Sequence, residues 1–179
     1  LCIMHSDEWI LDANEAYLSL RKNFGPFAVL NISGNCNEHE RAKIISNFKE
    51  NSESWILVGG QDAEEGLNLQ FIDSIMHLDL PTNVERLEQR IGRLDRFGRR
   101  LPKLEQRIFL PNDDEDAPWY AWFDILMNGF QIFSGSVSDI QFKLEELELN
   151  IWGRMFDEGA SCTEDLSEMI AKMITEERV

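Results

Sequence analysis

Residues 1–110 alternate short apolar runs with helical patterns, and no other feature limits the fold as much. The apolar runs fall at residues 1–5, 27–32, 55–58, 74–80 and 106–110, and each is short enough for a buried strand. Between them, Ile10, Leu11, Ala13, Tyr17, Leu18 and Leu20 follow near-helical spacing up to Gly25-Pro26. A second helix opens at Asn37 with Glu40 three residues on, the capping-box spacing, and carries Ile44, Ile45 and Phe48. Thr82 and Glu85 repeat that spacing ahead of a third. Strands separated by helices of ten or more residues predict an α/β fold, a parallel sheet with helices on both faces. Ligands of such sheets gather beyond the carboxyl ends of the strands.

The third helical pattern carries the chemistry. Gln89, Arg93 and Arg96 stand at i, i+4 and i+7, so an uninterrupted helix puts them on one face. Leu87, Ile91 and Leu94 take the same spacing on the opposite face and predict a packed side. Two planar, permanently charged guanidiniums on one rigid face suit a multiply charged oxyanion such as a nucleotide phosphate. A solvated polar face with a few ion pairs satisfies the same spacing, and the helix alone does not choose between them.

Charge restricts the partners. With 33 acidic against 17 basic residues the chain carries a net −16, which repels phosphate backbones at long range. Any nucleic acid contact must therefore be local or made chiefly by other parts of a larger protein, and the stretch from Arg86 to Arg107 is the locally basic one. After Pro111 comes the acidic run Asp113 to Asp116, a loop and expected boundary between a domain of residues 1–110 and a helical extension of residues 111–179. Three helical patterns are expected there, at residues 119–133, 137–156 and 163–177. The first bears a stripe of Trp119, Trp122, Phe123, Leu126 and Phe130, which reads as core.

Catalysis by a nucleophile or a metal finds no support. His5, His39 and His77 are isolated from one another, and His77 lies inside an apolar run as a core residue would. Cys2, Cys36 and Cys162 are far apart and read as inert thiols of a reducing cytoplasm. No run is long and apolar enough to span a membrane, and a start at Leu1 without a signal-type segment suggests a piece of a larger cytoplasmic protein.

Two segments together carry a resemblance. One is the loop Glu65-Gly66-Leu67-Asn68-Leu69-Gln70, and the other is Gln89 to Arg96, reached through the run that ends Leu78-Asp79-Leu80-Pro81. In this order they resemble motifs five and six of the second RecA-like lobe of superfamily-two helicases. The branch is the Swi/Snf type, and the similarity is greatest to the bacterial RapA (HepA) group of RNA-polymerase-associated ATPases. It extends over about residues 1–110, with His5-Ser6 and Ser33-Gly34 at the places of two further motifs.

The resemblance implies a RecA-like three-layer parallel sheet followed by an all-helical extension. It further implies that Arg93 and Arg96 act as arginine fingers on the γ-phosphate of ATP, with Gln89 orienting the site. Gly66 and Asn68, with Glu65 beside them, would line the nucleotide. ATP and Mg²⁺ would be held mainly by a first lobe, since no Gly-rich loop with a Lys follows any strand here. The activity implied is ATP-driven translocation on double-stranded DNA by the full-length protein, with RNA polymerase or anti-phage defence proteins as candidate partners. A degenerate RecA-like lobe that only docks a partner protein is the alternative. Two departures from the family pattern stand out: Arg99 takes a place where Gln is common, and Gln61-Asp62-Ala63 replaces a Ser/Thr-rich start to motif five.

Overall fold

A computed structural model describes residues 1–4, 12–34, 36–61, 67–99, 101–110 and 118–177. His5-Ser6, Glu65, Gly66 and the acidic run 113–116 lie outside the described residues. The chain divides into two compact units, one of Leu1–Pro81 with Gln89–Phe109, the other of Thr82–Glu88 with Leu110–Val179.

The first unit is the parallel α/β sheet that the alternation predicts. Its strands are β1 (Cys2–Met4), β2 (Val29–Asn31), β3 (Ile56–Gly59), β4 (Ser74–His77) and β5 (Glu105–Ile108). They pair in the order β2-β3-β1-β4-β5, every pair parallel, with β1 central. Because strand side chains alternate between faces, the sheet feeds two cores. Cys2, Met4, Leu57 and Ile75 meet Ile45 of helix α2 (Glu38–Glu50) and Leu94 of helix α3 (Val84–Leu94) on one face. Ile3, Val29, Ile56 and Val58 meet Ala13 and Tyr17 of helix α1 (Ala13–Phe24) on the other. This is a three-layer arrangement.

Local sequence explains two of the helix starts. Asp12 caps α1, its carboxylate accepting from Asn14 N at 2.9 Å. At α2 both halves of the Asn37/Glu40 capping box form, at 2.9 and 3.0 Å. Edge strand β5 turns Glu105 and Arg107 outward as an ion pair of 2.7 Å, charges that discourage further strand pairing.

The second unit is helical. It comprises helix α4 (Pro118–Asp124), a π-helical turn (Ile125–Gly129), a 3₁₀ turn (Ser138–Lys143), helix α5 (Leu144–Glu158), a 3₁₀ turn (Gly159–Cys162) and helix α6 (Thr163–Glu177). The pattern expected at residues 119–133 thus converts to a π turn after Asp124. Gly129 accounts for the close approach, since a Cβ there would come within 3.2 Å of Ser167 Cα. Of the aromatic stripe, Trp122, Leu126 and Phe130 are wholly buried, and Trp122 packs on Trp152 at 4.9 Å between ring centroids.

The first residues of α3 belong to this second unit, and here the expected cap is corrected. Asn83, not Thr82, is the cap residue: its side chain accepts from Arg86 N at 2.9 Å. The Thr82 carbonyl instead accepts from Trp152 Nε1, and Glu148 accepts from Val84 N at 2.7 Å and from Asn83 Nδ2 at 3.0 Å. A carboxylate at the first turn of a helix also complements its dipole. One turn on, Glu88 accepts from Val137 N at 3.0 Å and from the Ser136 hydroxyl.

Candidate functional site

Within the sheet unit, α3 presents the two faces expected of it up to Leu94. Leu94 is wholly buried and Ile91 packs against the same core, while Gln89 is exposed and Arg93 half-buried. Burying a side chain such as Leu94 contributes about 1.5–3 kcal/mol and fixes the rotation of the helix.

Arg96 departs from the expectation. The helix ends at Leu94, so Arg96 is not its next helical turn but the second residue of the connection that follows. Its Nε nonetheless donates to the Gly92 carbonyl at 3.0 Å, which lays the exposed side chain back along the last turn. Gly92 is exposed, and nothing lies within 4 Å of where its Cβ would stand, so an approaching group meets no side chain there.

The helix ends early for a reason. Arg99 donates through Nη1 to the Leu94 carbonyl at 2.5 Å and pairs with Asp95 at 3.9 Å, while Gly98 takes φ = 92° to turn the chain. The departure from Gln at this position is therefore a capping role.

The loop of the first motif and the arginine-bearing end of α3 are brought together. Leu69 N donates to the Arg93 carbonyl at 3.0 Å, and Leu69 is itself wholly buried. Its neighbour Asn68 is exposed and makes an Asx turn, accepting from Gln70 N at 3.2 Å. Leu69 thus ties the loop that carries Asn68 to the last turn of α3, where Arg93 stands. Ser33 is buried and donates twice to Asn31 Oδ1, at 2.9 and 2.6 Å, before Gly34 turns with φ = 76°.

Sequence reasoning missed one residue, Arg90. It is wholly buried and donates through Nη1 to the Asp79 carbonyl at 2.9 Å, with Asp79 Oδ1 at 3.8 Å. The same nitrogen lies 3.4 Å from His77 Nδ1, whose Nε2 lies 3.4 Å from Gln106 Oε1. A guanidinium can only donate, so His77 accepts at Nδ1 and carries its proton on Nε2. The signal was present: on the helical wheel Arg90 falls among Leu87, Ile91 and Leu94, and His77 and Asp79 interrupt an apolar run. His77 is buried, as expected, but it is a polar link between β4, β5 and α3 and not an apolar filler.

Burial, followed by the charge of Arg90, lowers the His77 pKa to about 3. The ring is therefore neutral in the folded protein at all working pH values. Once pH falls below the ordinary value of 6.5 the unfolded chain binds a proton that the folded one refuses. Stability is complete above that pH and declines on acidification toward 3, by about 2 kcal/mol at pH 5. Urea melts at pH 7.5 and pH 5 are expected to show this decrement in the wild type, in excess of that in His77→Gln. Equal decrements would remove His77 from the account. Burial likewise pushes the Cys2 thiol up to about 12, which makes it inert.

Residues 2–98 match the family model of the helicase conserved C-terminal domain. The RNA polymerase-associated protein RapA of Vibrio campbellii is 38% identical over 94 residues, 51% of this chain and 9% of RapA. That of Haemophilus influenzae strain PittEE is 34% identical over 96 residues, 52% of this chain and 10% of RapA. The matched region is thus about a tenth of these relatives' length. Among solved structures, the C-terminal part of the Fun30 ATPase domain superposes with a TM-score of 0.53 at 13% identity, over 98% of this chain and 48% of that one. The C-terminal domain of the DEAD-box protein Dbp5 gives the same TM-score at 20% identity, over 85% of this chain and 81% of that one.

Proposed function

Because the chain belongs to the helicase conserved C-terminal domain family, we propose that it is the second motor lobe of an ATP-driven translocase on double-stranded DNA, of the Swi/Snf type. The observation that carries this reading is the bond from Leu69 N to the Arg93 carbonyl, which joins the Asn68 loop to the arginine-bearing end of α3. Arg93 and Arg96 then act on a phosphate held elsewhere in the full-length protein.

The residues present fit one side of a nucleotide polyphosphate. Exposed guanidinium on Arg96, the uncrowded surface at Gly92 and the amide of Gln89 supply donors and room, and all of these donors suit an oxyanion. They do not form the cradle itself, since no Gly-rich loop with a Lys follows a strand of this sequence. ATP with Mg²⁺, when bound on the other lobe, supplies the phosphoanhydride to be cleaved. This chain's part is to bring Arg93 and Arg96 against the charge that develops on the transferred phosphoryl group, with Gln89 orienting the site. The resemblance gives Asn68, with Glu65 and Gly66 before it in sequence, the part of lining the nucleotide. Opening and closing of this lobe against its partner moves the protein along the duplex.

A second reading, a lobe that serves only to dock a partner protein, is favoured by the acidity of the helical unit, with sixteen acidic against four basic residues over 110–179. Partners in either reading include RNA polymerase, the association for which the RapA relatives are named, or anti-phage defence proteins, in the cytoplasm. A triplex-displacement assay on the full-length protein separates the two. The motor reading expects ATP-dependent removal of a third strand without separation of the duplex. Failure to displace it with ATP and Mg²⁺ present would favour the docking module.

A further inference from the structure

From the second unit we infer an interaction surface along α5, fitted to a basic amphipathic helix of a partner protein. Phe142, Leu149 and Phe156 are 75%, 72% and 87% exposed, and they stand seven residues apart. Leu149 and Phe156 lie on α5 and Phe142 on the 3₁₀ turn that leads into it. A seven-residue repeat keeps one face of a helix in line with a neighbouring helix, as in coiled-coil seams. Large side chains exposed in register line one face at intervals of about 10 Å, the spacing at which a facing helix presents its own seam residues. Gly153 lies between Leu149 and Phe156 on this face, exposed and with nothing within 4 Å of a Cβ position, so the surface between the two side chains is open to a partner.

Charge selects the occupant. Glu145, Glu146 and Asp157 flank the stripe and are all exposed, and the one cation against it, Lys143 at 5.2 Å from the Phe142 ring centroid among the described residues, is paired with Glu177. A second copy of the chain would set these carboxylates against their equivalents, and an anionic membrane surface would be repelled likewise. A helix with Leu-type residues in its seam and Lys or Arg on its flanks meets both the stripe and the acid.

The probe is a fluorescein-labelled synthetic helix of about three heptads, with Leu at the seam and Lys on the flanks. It is titrated against the 179-residue chain by anisotropy, beside a scrambled peptide of the same composition and one with Glu flanks. The Lys-flanked helix is expected to bind, more weakly at high salt, and the other two are not. Leu149→Ser and Phe156→Ser are each expected to weaken binding at least ~10-fold with thermal melts unchanged. Gly153→Lys places a cation between Leu149 and Phe156, improves helix propensity and is expected to weaken binding by a similar factor while the fold is retained. Equal binding of the scrambled peptide, wild-type affinity in the three variants, or preference for Glu flanks would overturn the proposal. So would dimerisation of the chain that Leu149→Ser abolishes, which would make a second copy the occupant.

Discussion

Arg93→Ala and Arg96→Ala in the full-length protein are each expected to reduce DNA-stimulated ATP hydrolysis by about 10³–10⁵-fold, the range an arginine finger contributes in related phosphoryl transfer. The expectation rests on where the structure leaves these side chains. Among the described residues Arg96 donates through Nε to the Gly92 carbonyl, and the residue is exposed, so an approaching phosphate can reach its guanidinium. Lys should not substitute at either position, because a point charge does not reproduce a planar fork that engages two phosphate oxygens at once. Neither alanine variant should unfold the lobe, since the buried face of α3 is carried by Leu87, Arg90 and Leu94. Steady-state hydrolysis with saturating duplex DNA, together with a thermal melt, checks both parts. Hydrolysis at the wild-type rate would remove the substituted arginine from its assigned role.

Arg90→Ala is expected to cost about 3–5 kcal/mol of stability, a large share of the 5–15 kcal/mol typical of a folded domain. The substitution removes a wholly buried guanidinium and strands its partners. The Asp79 carbonyl and carboxylate and His77 Nδ1 all lose a donor within a site that water does not reach. Removing one member of such a group leaves buried acceptors short of a donor, which costs more than the group contributed when intact. Chemical denaturation of the 179-residue chain measures it. A loss below about 1 kcal/mol would mean that the network reorganises or admits water.

These two arginines, Arg90 and Arg96, also mark how far the sequence could be read. The strand and helix alternation of residues 1–110 follows from local periodicity, and the Asn37/Glu40 box forms from residues three apart, so both were legible. The end of α3 was not. It depends on Arg99 folding back onto the Leu94 carbonyl and on Gly98 at positive φ, neither of which disturbs the apolar spacing. The cap of α3 was misplaced for a similar reason, since Thr82 has the right spacing to Glu85 but Glu148, 64 residues beyond Val84, takes the first free N–H. The π turn after Asp124 ends at Gly129, which lies close against Ser167 across the helical unit, a contact that local spacing does not show. Arg90 was overlooked because an arginine on an apolar helix face is read as an exposed residue until its partners on β4 are known. In each case a contact between distant segments decided a detail that local spacing left open.

ATP turnover by the purified 179-residue chain, with Mg²⁺ and duplex DNA present, tests the central claim most directly. The account predicts none above the buffer rate, because the arginine face is directed at a phosphate that this chain does not hold. Turnover that purifies with the chain would contradict it, and would require a complete nucleotide site within these residues.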